Sequence, residues 1–119
     1  EISAMRRLAI AAALTVLSLD GAGAVEAGAD AAAIERGRII AVAVCGDCHA
    51  VMPGAVSPLP IAPPLYFLAE DYPLEAIEEA LGEGMVTGHE GMPEILLDPI
   101  QIDEFLAFLA SVQIRRPPP

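Results

Sequence analysis

The sequence predicts an all-α domain, and three observations carry that prediction. Apolar residues recur at helical spacing in three stretches. No stretch shows strand alternation bounded by hairpin turns, and the Pro and Gly clusters fall between the helical stretches. Residues 31–44 are good helix formers, with Asp30 the expected N-cap and Ile34, Gly37, Ala41 and Val44 on one face. Residues 53–64 hold five Pro and one Gly, which excludes helix and predicts an extended covering loop. A short helical piece is expected near residues 65–69. Residues 73–81 form the next helix, with Pro73 in the first helical position. Its Leu74, Ile77 and Leu81 face inward, Glu75, Glu78, Glu79 and Glu83 face water, and Gly82 and Gly84 stop it. The last helix opens on Asp98 as N-cap, Pro99 at N1 and Gln101 at N3. Ile102, Phe105, Leu106, Leu109 and Val112 give it an apolar stripe, and residues 115–119 read as a frayed Pro-rich tail.

The first predicted helix runs into Cys45-Gly46-Asp47-Cys48-His49. Two thiols three positions apart, followed at once by an imidazole, form the attachment signature of a c-type haem. Each thiol adds across one porphyrin vinyl group, and the imidazole reaches the iron from the proximal side. Cys45 and Cys48 are the only cysteines, so attachment consumes both. A zinc site needs about four ligands, whereas the chain offers two Cys and two His, with His89 forty residues away. A thioredoxin-like dithiol wants a βαβ context, which these flanks lack.

The residues ahead of the motif bear on the compartment. Met5 is followed by Arg6-Arg7, then an uncharged apolar run over residues 8–19, then Ala22-Gly23-Ala24. That order describes a secretory signal peptide over residues 1–24, with Glu1–Ala4 as residues ahead of the start. Cleavage is expected after Ala24, with Ala27 as the second choice. The other reading is an uncleaved anchor, but Asp20 ends the apolar run short of the roughly 18 residues a spanning helix needs. Residues 25–114 then form one small domain in the periplasm. A domain of this size buries only about 60–65% of its unfolded surface, so a covalently held porphyrin would serve as the centre of its core.

An electron-passing iron needs a second axial ligand. Met5 lies in the signal and Met52 is only three residues past His49, which leaves Met85 and Met92. Met92 precedes Pro93 in the loop Gly88-His89-Glu90-Gly91-Met92-Pro93, where no helix dictates side-chain direction. His49 and Met92 are therefore the expected iron ligands, and thioether ligation raises a haem potential. The alternatives are Met92 as a core gap-filler and His89 as the ligand, a propionate partner or a plain loop residue. Other donors for the propionates are Tyr66, Tyr72, and Arg36 or Arg38.

Over residues 31–112 the chain resembles a class I cytochrome c of the short bacterial periplasmic kind. The matching pieces are Gly37, the Cys45–His49 motif, Ala62-Pro63-Pro64-Leu65, the Met92-Pro93 loop and Phe105-Leu106-Ala107-Phe108-Leu109. The resemblance implies three main helices around the haem, the first and last crossing at right angles where Gly37 lets them approach under Phe108. It also implies that the Pro63 carbonyl accepts the His49 ring N–H, the bond that orients a metal-bound imidazole.

Charge departs from that family. The chain has no Lys, and residues 39–114 have no Arg against twelve acids. Members with Lys around the haem edge dock on acidic partners, whereas this surface calls for redox proteins with a basic face. Nucleic acid and anionic membrane surfaces would be repelled, and no stable membrane insertion is expected. The expected function is a monomeric periplasmic electron carrier rather than an enzyme. Two alternatives are a haem subunit docked permanently to a periplasmic dehydrogenase or oxidase, and an open-site haem enzyme or ligand sensor.

Overall fold

The computed structural model describes residues 21–84 and 89–119. Among these residues four α-helices follow in order: α1 (Gly21–Ile40), α2 (Leu68–Asp71), α3 (Leu74–Gly82) and α4 (Pro99–Val112). A π-helical turn, Ala41–Cys45, continues α1, and a 3-10 turn, Leu65–Phe67, leads into α2. The described residues contain no strand, so the fold is all-α. None of their helices is long and apolar enough to cross a membrane. The basic and apolar run of the expected signal and Met85 lie outside the described residues.

The start of α4 follows from local chemistry. Asp98 accepts a hydrogen bond from the Gln101 backbone N–H (2.9 Å), and the Gln101 side chain accepts one from the Asp98 N–H (3.0 Å). This reciprocal capping box satisfies two otherwise orphaned donors, and Pro99 at N1 has no N–H to satisfy. Ile102, Phe105, Phe108, Leu109 and Val112 are buried, with Phe108 and Leu109 the largest wholly enclosed side chains. Phe108 thus joins the stripe that the spacing assigned to its neighbours.

α4 packs on α1 through Gly37. A Cβ built on Gly37 would overlap the Glu104 carbonyl oxygen and come 2.8 Å from the Phe108 Cβ. The two backbones approach this closely only because Gly37 has no side chain. Beside it, Arg36 pairs through Nε with the largely buried Glu104 carboxylate.

Two expectations for the first helix are corrected. Asp30 lies inside α1, which the backbone carries back to Gly21, and so does not cap it. Straight helical spacing also fails at the other end. The π-helical turn fits more than the usual 3.6 residues into one turn, so the spacing shifts past Ala41, and Val44 lines the mouth of a cavity rather than the closed core. Ala41 is fully buried, Val44 is 40% exposed, and Cys45 packs against the core in its place.

In α3, Pro73 stands at the N-cap rather than in the first turn, with extended backbone (φ −62°, ψ 144°). Ile77 and Leu81 are buried, and Glu75, Glu78, Glu79 and Glu83 are exposed. Gly84 turns the chain out at φ +80°, a conformation that favours glycine.

The chain beyond α4 is docked as far as Arg116. The Gln113 side chain accepts from the Ala69 N–H (2.8 Å) and donates to the Leu65 carbonyl (2.9 Å). The Ile114 N–H bonds the Tyr66 carbonyl (3.0 Å). Arg116 pairs with Asp71 and Glu70, and its guanidinium lies 5.1 Å from the Phe67 ring centroid. The hydrogen bond from Arg116 holds the Asp71 carboxyl below its ordinary range. A depressed folded pKa means that the contact stabilises the fold above the unfolded carboxylate value of about 3.9 and is lost as pH falls through the folded value. Arg116→Ala should return the Asp71 titration, followed by carboxyl NMR, towards the ordinary value. An unchanged Asp71 titration would mean that the tail is not docked in solution.

Candidate functional site

The motif sits where the π-helical turn breaks off. The Cys45 carbonyl accepts from the N–H groups of Cys48 (3.1 Å) and His49 (2.8 Å), which winds the five residues into one tight turn. The Pro-rich loop is then tied back onto that turn. Cys48 accepts from the Leu59 N–H (3.1 Å), Ala50 accepts from the Leu65 N–H (2.9 Å), and the Ala50 N–H donates to the buried Ser57 hydroxyl (3.0 Å). Tyr66 donates to the Ala55 carbonyl (2.6 Å). These bonds bring the Pro63 carbonyl to 2.6 Å from His49 Nδ1. A carbonyl can only accept, so Nδ1 carries the proton and Nε2 carries the free lone pair.

His49 and Cys45 form part of the wall of a cavity of about 460 Å³. Pro63, His89 and Met92 share that wall, and Ile40, Leu65, Leu68, Ile77, Leu81, Ile95 and Phe105 make most of it apolar. The cavity reaches the surface where Val44, Ile61 and Tyr72 are exposed, with Asp71 at the same place. Its size and lining suit a bulky apolar ligand fixed by a few polar groups. Cys48 is partly buried on the motif turn but does not line the cavity.

Both thiols are free, and burial pushes the Cys45 thiol up to about 11. It is therefore neutral near pH 7, and a neutral thiol is a poor nucleophile. His49 Nε2 and the Met92 thioether could hold a metal carried by an apolar cofactor, and the two thiols could bond such a cofactor covalently. Among the described residues no three His, Cys, Asp or Glu side chains gather into a metal-holding group.

Spacing gave no sign of Ser57, whose hydroxyl helps hold the loop that carries Pro63. Of the expected propionate donors, Arg36 is engaged by Glu104, Arg38 by Glu35 and Tyr66 by Ala55. Tyr72 and His89 are the two that line the cavity. No family model, curated protein or solved structure matches this chain.

Proposed function

We propose that this chain is a monomeric periplasmic electron carrier holding one haem c. Cys45 and Cys48 are its thioether attachment points, and His49 and Met92 are its iron ligands. The observation that carries the reading is the His49–Pro63 hydrogen bond on the wall of an apolar cavity that also holds Cys45 and Met92. It fixes the tautomer that leaves Nε2 free and restrains the ring, as second-shell partners of metal-bound imidazoles do. When bound, the haem supplies a one-electron couple between ferric and ferrous iron. The protein's share is placement: the motif turn presents the thiols and imidazole together, and Met92 contributes the thioether that favours the ferrous state. Leu65, Ile77, Leu81 and Phe105 keep water from the wall they form.

Partners are redox proteins with a basic face. α3 turns Ile77 and Leu81 towards the cavity and Glu75, Glu78 and Glu79 towards solvent, so carboxylates flank the site. Electron exchange with a basic partner should slow as ionic strength rises, because screening shortens the field to about 8 Å at 0.15 M salt. Stopped-flow rates across a salt series check this, and rates that rise with salt would exclude the acidic face as the docking face.

The function itself is tested on the exported chain by its visible spectra in both oxidation states and its pyridine haemochrome. One covalent haem per chain and a weak far-red thioether band in the ferric spectrum are expected. A chain recovered from the periplasm without covalent haem would overturn the reading. Co-purification with a dehydrogenase in fixed ratio would replace the free carrier with a docked subunit.

A further inference from the structure

His89 repeats the arrangement of His49 on the same wall. Its Nδ1 lies 3.1 Å from the Glu90 carbonyl, which can only accept, so Nδ1 carries the proton and Nε2 the lone pair. Among the described residues that Nε2 is the buried side-chain nitrogen or oxygen without a hydrogen-bond partner. A buried acceptor left unpaired is costly, and an orphan of this kind calls for an explanation. The two imidazoles are neighbours, with ring centroids 5.6 Å apart and planes tilted by 51°. Each ring has its Nδ1–H on a backbone carbonyl, lines the cavity that Met92 lines, and keeps Nε2 free of protein partners or of a proton. That is the preparation a metal-binding imidazole receives.

We propose that His89 is a second distal ligand, taking the iron through Nε2 whenever the Met92 thioether leaves it. This rests on the haem reading above. His89 and Met92 lie in one short loop, with the Met92 N–H bonded to the His89 carbonyl (3.0 Å), so exchange needs only a local shift. Gly91, at φ +84° with nothing near its Cβ position, gives that loop a joint. The exchange breaks one Fe–S bond and makes one Fe–N bond, with no change in oxidation state. Because imidazole lacks the thioether's preference for ferrous iron, the His89-bound form has the lower potential.

The experiment uses the haem-loaded full chain carrying Met92→Ala, with Met92→Leu as a variant of similar volume should the first not fold. The expected product is six-coordinate and low-spin in both oxidation states, without the far-red band. Carbon monoxide should bind its ferrous form at least about ten-fold more slowly than it binds Met92→Ala/His89→Ala. A five-coordinate Met92→Ala protein that takes carbon monoxide as fast as the double variant would overturn the His89 assignment and leave the haem reading standing. A wild-type chain with no covalent haem in its pyridine haemochrome would overturn both.

Discussion

Gly37→Ala should destabilise the domain by about 2 kcal/mol or more and lower its Tm by on the order of 10 °C. The added methyl would overlap the Glu104 carbonyl oxygen and crowd the Phe108 Cβ. A flexible side-chain tip could swing aside, but here the obstacle is the backbone of α4, so the helices themselves must separate. Separation loosens Phe108 and Leu109, the largest wholly enclosed side chains among the described residues, and stretches the Arg36–Glu104 pair. Intrinsic propensity works in the opposite direction, since Ala is better than Gly in a helix interior by about 1 kcal/mol. Overpacking against backbone exceeds that gain. Gly82 supplies the contrast: it ends α3 with nothing within 4 Å of its Cβ position. Gly82→Ala should therefore leave stability unchanged or raise it by up to about 1 kcal/mol. Thermal melts of both variants decide the matter. A Gly37→Ala protein as stable as the wild type would mean that α1 and α4 do not meet at this point.

The parts of the fold readable from the sequence are those decided by near neighbours. Asp98, Pro99 and Gln101 settle the start of α4 among themselves, and the Pro content of residues 53–64 rules out helix there. The two ends of the first helix were not readable. Helical periodicity places Val44 beside Ala41, and only packing against the rest of the chain sets the π-helical turn that moves it away. The docking of Arg116 on Asp71 spans 45 residues, and sequence spacing has no means of pairing charges that far apart. The site divides in the same way. Cys45, Cys48 and His49 stand out as a pattern. The roles of Ser57 and of the His89 Nε2 depend on where two loops come to rest, which the pattern does not encode.

If the chain holds haem c as proposed, a variant with both Cys45→Ala and Cys48→Ala should carry no covalent haem and lose most of its helix. The first part follows from chemistry, because no other thiol exists to make the thioether bonds. The second follows from the size of the cavity. An unfilled core cavity costs about 24 cal/mol per Å³, so one of about 460 Å³ is worth up to about 11 kcal/mol. Water entering at the open side, near Ile61 and Tyr72, makes that an upper bound. Whole domains of this size are stable by only about 5–15 kcal/mol. Closing the gap would require α3 to move inward, and its exposed Glu75, Glu78 and Glu79 stand beside the buried Ile77 and Leu81. Drawing those carboxylates towards an apolar interior is itself unfavourable. Far-UV circular dichroism of the double variant should therefore show a largely unfolded chain. α4, with its capping box, is the segment best able to keep residual helix. A haem-free double variant with the wild-type dichroism spectrum and a cooperative melt would show that the cavity closes without its ligand, and the porphyrin would lose its place as the centre of the core.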